Sequence, residues 1–288
     1  MQLTGLYRGR LIRRYKRFFA EVELLEGERA GEVVTAHCPN TGSMRAVCVE
    51  GCEVWLSPSN NPKRKLAWTW ELIRLPLDPP GAGGRREALV AVHTGRANAH
   101  VEAVLREGDS SECPPALHAA LRERGLTNLA RIEREARVEV MPAGSEVAER
   151  SRLDFQLWPR DEQAASIYVE VKQLTLRESD GHGYFPDSVS MRARRHLASL
   201  AALVAAGHRC VLVFCVAHDA IEDVAPAAHL DPAYAEAFAA AQAAGVEVLA
   251  LRMQVALAPC HDDARQPLWQ ASLTLKEVLP LHEARFCG

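Results

Sequence analysis

Lysine is scarce in this chain. Of 34 basic residues only Lys16, Lys63, Lys65, Lys172 and Lys276 are lysines, so 34 − 5 leaves 29 arginines. Net positive charge is also missing. A formal charge of −3 argues against a coat-like nucleic-acid binder but leaves room for a local basic site. No apolar run approaches the roughly 20 residues of a membrane span. The opening "MQLTGLYRGRLIRRYKRFFAEVELL" has no apolar block ahead of a small-residue cleavage site, which predicts no signal peptide and a cytoplasmic protein. Eight cysteines (Cys38, Cys48, Cys52, Cys113, Cys210, Cys215, Cys260, Cys287) form no C-x-x-C pair and no H-E-x-x-H accompanies them, so zinc-finger chemistry is not indicated. A chain of 288 residues can bury its core without disulfide staples, and reduced thiols are expected.

What is present divides at "LDPPGAGGRRE" (residues 77–87), whose prolines and glycines predict a domain boundary or a long loop. Before it the pattern is β. The second half of "RRYKRFFAEVEL", then "GEVVTAHC", "CEVWLS" and "LAWTWELIRL", read as short strands, with "ALVAVH" beyond the break. About five such strands suit a small OB-like barrel, assigned to residues 1–83. From residue 84 to 288 helices and strands alternate as α-β-β-β-α-β and then α-β. Helix ends are expected at Thr94 and Gly108, at Asp187 or Ser188 and Gly207, and at Asp231 and Gly245. The fold class is therefore mixed α/β. The tail beyond Ala258 carries no clear pattern.

The stretch "DFQLWPRDEQAASIYVEVK" holds the chemistry. Alternation places Glu170 and Lys172 on one face of a strand and Val169 and Val171 on the other. Asp154 lies on the preceding strand, and "PRDEQAA" is suited to closing a hairpin between them. Paired strands run about 4.8 Å apart, so the two carboxylates can reach one Mg²⁺ or Mn²⁺ and leave room for a phosphate. Lys172 would then orient a water or neutralise developing charge. A third acid on the strand before, Glu135 or its rival Glu133, completes the metal set Asp154, Glu170 and Glu135. The competing reading is a cross-strand ion pair alone.

The order acid, Asp, E-x-K and helix is similar to that of the PD-(D/E)xK nuclease superfamily. The whole chain resembles the sugar fermentation stimulation protein A family, through "RRYKRFFAEV", "HCPNTGSM", "NPKRKLAWTWEL", "ERSRLDF", "YVEVKQLTL", "GYFPDSVSMRARRHL" and "GVEVLA". The resemblance implies an N-terminal OB-like domain followed by a nuclease-like domain, DNA binding, and a part in regulating sugar-use genes. Asp154, Glu170 and Lys172 match the superfamily motif as catalytic residues. Leu153 stands where that motif often has proline.

Basic groups supply the candidate nucleic-acid contacts. Arg8, Arg10, Arg13, Arg14, Lys16 and Arg17 form one run, for which a solvated strand edge is the alternative. Lys63, Arg64 and Lys65 form another beside Trp68 and Trp70, whose spacing puts both indoles inside the barrel. Arg192 and His196 stand one turn apart on the long helix, able to face phosphate or simply to pair at the surface. "CPNTGSM" reads as a loop in preference to a phosphate cradle. Two functions stand side by side: a Mg²⁺- or Mn²⁺-dependent nuclease, and a regulator that binds DNA, single- or double-stranded, without cutting. RNA processing is a third.

Overall fold

The computed structural model describes residues 1–59, 61–111, 113–141, 148–161 and 163–282. Its N-terminal part is built from β1 (Gln2–Tyr15), β2 (Phe19–Leu24), β3 (Val33–His37), β4 (Glu53–Pro58) and β5 (Trp68–Gly81). The pairings return on themselves in the order β1-β2-β3-β5-β4-β1. The contact between β3 and β5 is parallel and only two register pairs long, so the ring closes thinly there. Alternation drives the folding. Ala20, Val22 and Leu24 of β2 turn inward, joined by Leu11, Val54, Leu56, Trp68, Trp70 and Ile73. Trp70 is fully buried and donates its indole N–H to the Leu72 carbonyl oxygen. The tryptophans are thus core residues and offer no stacking platform. Gly9 is obligatory where β1 crosses β2, because a Cβ there would lie 2.3 Å from Val22 Cγ1.

The proline- and glycine-rich stretch 77–87 is a hairpin tip. β5 runs on to Gly81, a 3-10 turn covers Ala82–Gly84, and β6 (Arg85–Ala91) returns antiparallel to β5. Pro79 and Pro80 are tolerated because this end of the hairpin projects past the barrel, where no further strand asks for their missing N–H groups.

The rest comprises α1 (Ala97–Glu107), α2 (Pro115–Glu123), β7 (Leu129–Val140), β8 (Glu149–Pro159), β9 (Ile167–Leu174), β10 (Leu176–Arg177), β11 (Gly183–Phe185), α3 (Met191–Ala205), β12 (Arg209–Val216), β13 (Val224–Pro226), α4 (Pro232–Ala243), β14 (Glu247–His261) and β15 (Pro267–Leu279). The main sheet runs β7-β8-β9-β12-β14-β15-β1. β9, β12 and β14 are parallel to one another, and the flanking pairs are antiparallel. β12, "RCVLVFCV", is apolar on both faces and buried almost throughout, as a central parallel strand covered on two sides must be. α1 and α2 pack over one face and α3 and α4 over the other, giving two cores. β1 belongs to both systems. Its first residues pair with β15 and the later ones with β4 and β2. The stretch from Ala258 to Leu279, patternless in the sequence, ends β14 and returns as β15, and residues 283–288 lie outside the described residues.

Helix caps differ in part from expectation. Asp231 caps α4, accepting from the Tyr234 N–H, with Pro232 in the first turn. Ser190, not Asp187 or Ser188, caps α3 through the Ala193 N–H. Thr94 begins a 3-10 turn ahead of α1 and donates to the Pro39 carbonyl oxygen, so it caps nothing. Cys38, Cys48, Cys52, Cys113, Cys210, Cys215 and Cys260 are free thiols, and Cys287 lies outside the described residues. Among the described residues no helix is long and apolar enough to cross a membrane.

Candidate active site

β8 and β9 pair from Leu157↔Ile167 to Phe155↔Val169, and there the ladder stops. The next donor on β9, the Val171 N–H, bonds to Asp154 Oδ2 at 2.7 Å where a β8 carbonyl would have continued the ladder. The strands part at Asp154. Across from it on β7, Glu135 has φ +58°, a left-handed backbone that breaks the pleat at the same level. The core membership changes there too: Phe155 packs on the α1 side and Leu153 on the α3 side. The charged side chains of β9 lie on the α3 face, opposite Val169 and Val171, and a cleft lined by Lys172, Arg192, Asn40, Thr41 and Gly42 opens beside them.

Val169 and Val171 are buried, and Glu170, on the opposite face, is only 2% exposed. Glu170 Oε1 accepts from Lys172 Nζ at 2.5 Å and contacts His196 Nδ1 of α3. Lys172 Nζ also lies 3.2 Å from that Nδ1. An ammonium only donates and a carboxylate only accepts, so the imidazole serves Glu170 as Nδ1–H or Lys172 as a bare nitrogen. Glu170 Oε2 is buried, and nothing among the described residues donates to it. Asp154 Oδ1 accepts from Asn98 Nδ2 of α1 at 2.7 Å. Burial, and then the Glu170 charge, push the Asp154 carboxyl above its ordinary value despite the bonds from Val171 and Asn98. Burial acts the same way on Glu170, but the His196 hydrogen bond and the Lys172 charge outweigh it and hold that carboxyl below its usual range.

The remaining sequence candidates fall into three environments. Glu135 sits opposite Asp154, but its exposed carboxylate pairs with Arg152 at 3.4 Å; Glu133 pairs with Arg131. Asp154, Glu170 and Glu135 do not form a set with ligand atoms within 4.8 Å of one another. Arg192 and His196 join Arg150, Ser151, Arg152, Arg195 and Ser199 around one depression, next to the cleft that Arg192 and Lys172 line. On the barrel, Arg13 is held by both oxygens of Glu21 and lies over the Tyr15 ring. Arg14 donates to the carbonyl oxygens of Arg17, Asn40, Gly42 and Ser43 and so staples two loops together. Arg64 contacts Thr69 and His37. Lys16, Arg17, Lys63 and Lys65 are exposed and form no ion pair among the described residues.

Sequence reasoning missed Asn98, Arg150, Arg152 and Arg195. A helix-borne asparagine and isolated arginines carry no motif, and only the tertiary fold brings them to Asp154 and to the rim. "CPNTGSM" is a structural loop. Gly42 donates to Asn40 Oδ1, Met44 donates its N–H to Asp187 Oδ2, and Ser43 donates to the Asp187 carbonyl oxygen. Asp187 therefore joins the barrel to the segment that leads into α3. Two crowded carboxylates, one with a buried oxygen that has no partner, are a donor set that fits a hard divalent cation.

The comparisons with known proteins agree with this architecture. The model of the SfsA N-terminal OB domain matches residues 12–78, and that of the sugar fermentation stimulation protein RE domain matches residues 115–258. A sugar fermentation stimulation protein homolog of Chromohalobacter salexigens is 56% identical over 88% of this chain and 86% of its own. The chain belongs to the sugar fermentation stimulation protein family. Another homolog, from a Marinomonas species, is 42% identical over 88% of this chain and 83% of its own. The structure of Pyrococcus furiosus SfsA in complex with Ca²⁺ shares the fold, with a TM-score of 0.69 over 98% of both chains at 23% identity. The mixed α/β fold with an OB domain at the N-terminus is thus common to the family.

Proposed function

We propose that this protein is a divalent-metal-dependent phosphodiesterase acting on nucleic acid. The observation that carries the proposal is the buried Glu170 Oε2, without a partner among the described residues, beside a charge-crowded Asp154, with His196 joining Glu170 to an arginine-lined depression. Apart from α2 and the short β10 and β11, the element order is α1, β7, β8, β9, α3, β12 with the acids on β8 and β9, the order expected of a PD-(D/E)xK nuclease. A Ca²⁺ complex of the Pyrococcus furiosus relative supports divalent-ion binding in this fold. Asp154 and Glu170 would hold Mg²⁺ or Mn²⁺, which supplies phosphoryl polarisation and a more acidic water. Asn98 and the Val171 N–H fix the Asp154 carboxylate in place. Lys172 holds Glu170 oriented and brings positive charge to the phosphate, and His196 keeps Lys172 and Glu170 together. Arg150, Arg152, Arg192 and Arg195 suit bidentate contacts to the flanking phosphates. Exposed Lys16, Arg17, Lys63 and Lys65 extend the basic surface onto the OB domain.

Purified protein should cleave DNA or RNA in Mg²⁺ or Mn²⁺, and Asp154→Asn should lose that activity while keeping its affinity for the polymer. Equal cleavage by wild type and variant would sink the proposal. A second reading, a regulator that binds DNA without cutting, draws on how much of the network is already satisfied without a cation: Lys172 already neutralises Glu170, and both Asp154 oxygens accept hydrogen bonds. It predicts metal-independent, salt-sensitive binding with no cleavage of any polymer. With about six phosphate contacts the log–log salt slope would be near −5.

A further inference from the structure

A second cluster of ligating groups lies outside the cleft and shares no residue with it. His182, Asp223 and His282 each offer one ligand atom, and the three atoms lie within 4.8 Å of one another. All three side chains are half-buried. His182 Nδ1 is 2.7 Å from Asp223 Oδ1, and the His182 and His282 rings stack with centroids 4.5 Å apart.

The backbone builds this convergence from three distant segments. Gly183 of β11 pairs with Val224 of β13, and Leu281 pairs with the same Val224 from the other side. The Gly183 N–H donates to the Asp223 carbonyl oxygen at 3.0 Å, and the His282 N–H donates to the Val224 carbonyl oxygen at 2.8 Å. Only glycine permits the first approach, since a Cβ at position 183 would lie 2.5 Å from Ile221 Cγ2 and 3.0 Å from the Asp223 oxygen. The ligands thus sit on adjacent extended segments in a fixed relation, the kind of rigid support that a metal site requires. Asp180 stands behind them. It accepts from the His182 N–H and from the Tyr184 hydroxyl, and so adds negative charge near the first ligand.

We propose that His182, Asp223 and His282 bind a borderline-soft divalent transition-metal ion of the Zn²⁺ class, structurally separate from the Asp154–Glu170 site. Two imidazoles and one carboxylate are the donor types that Zn²⁺ and its neighbours select, whereas Mg²⁺ and Ca²⁺ favour oxygen alone. Three protein ligands leave one tetrahedral position for water. The ion ties the end of β15 to the segment that leads from β10 into α3. That segment carries Asp187, which anchors the barrel loop, and it sets where α3 presents Arg192 and His196. The role is that of a clamp, and it does not depend on whether the cleft cuts nucleic acid.

The test titrates metal-free protein with Co²⁺ and Zn²⁺, following the visible absorption of Co²⁺ and the heat of Zn²⁺ binding. Wild type should take one Zn²⁺ that displaces Co²⁺ and raises the melting temperature. Asp223→Asn and His282→Ala should each weaken Zn²⁺ binding at least tenfold, and Asp154→Asn should leave it unchanged. Equal Zn²⁺ affinity in wild type and both cluster variants would overturn the proposal. So would wild-type protein that takes up no Zn²⁺, leaving only a His–Asp ion pair and a ring stack. A loss that follows Asp154→Asn instead would place the ion in the cleft. Should His282→Ala fail to fold, Asp223→Asn and the wild-type titration still decide the matter.

Discussion

The cleft at Asp154 and the basic hairpin of the barrel are both dense in charge, yet they use it in opposite ways. At the hairpin, Arg13 is closed onto Glu21 and Arg14 onto four carbonyl oxygens, so two of the most conspicuous arginines are committed to the fold. At the other site the buried Glu170 lies beside the half-buried Asp154, and among the described residues Glu170 Oε2 has no partner. Unsatisfied buried charge is costly and persists where the surrounding structure enforces it. Arg13 and Arg14 are spent on partners, whereas Glu170 keeps one carboxylate oxygen open.

The largest expected effect would break the comparison outright. Asp154→Asn should lower metal-dependent cleavage on the order of a hundredfold or more, as loss of a metal-site carboxylate does. Because its charge is disfavoured by burial and by Glu170, the same change should leave the melting temperature unchanged or raised. A lower melting temperature would show that Asp154 is a structural group after all.

A second effect appears in acid. Burial drives His218 down to about 3 and His100, two residues beyond Asn98 on α1, down to about 4. Below pH 6.5 the unfolded chain takes up protons that the native protein refuses, so stability falls as pH falls. With both histidines contributing, the loss should approach about 3 kcal/mol per pH unit between pH 6 and 4, and then ease as the native groups titrate. Urea midpoints measured across that range check it, and His218→Gln should flatten the slope.

Arg14→Ala should cost about 2 kcal/mol of stability, since charged donors are withdrawn from half-buried carbonyls. Lys63→Ala should cost almost none. Equal melting temperatures for the two variants would erase the distinction drawn between committed and available basic groups. The smallest effect belongs to the available groups themselves. Replacing both Lys63 and Lys65 by alanine should make the log–log salt slope of nucleic-acid binding less negative by about 1 to 2 and leave the fold intact. An unchanged slope would remove those lysines from the interface.

Local pattern carried much of this structure. "YVEVK" gives both the strand and the inward valines, the Trp68–Trp70 spacing gives the inside of the barrel until a register shift sends Leu72, expected on the same face, into the main-sheet core and Ile73 inward, and Asp231-Pro232 gives the start of α4. Asp154, Glu170 and Lys172 were legible because alternation alone puts them on neighbouring strands with compatible faces. β1 was not legible, because its arginines mask the few buried positions Leu3, Leu6 and Leu11 that make it a strand. β15 was hidden for a related reason: its pairing with β1 joins the two ends of the sequence, and no window of residues contains both. The α3 cap went to Ser190 because Asp187, an equally good capping residue by type, is taken by Met44 and Ser43 from the barrel. Competition between partners far apart in sequence is invisible to any reading of neighbours.

β1 also has a mechanical consequence. The same strand is a stave of the barrel and a rung of the large sheet, so no flexible joint separates the two. Swinging one half against the other would mean unzipping hydrogen bonds from the first residues of the chain. If a nucleic acid lies across both surfaces as proposed, it would have to supply the curvature itself, and its stiffness would then count in selection.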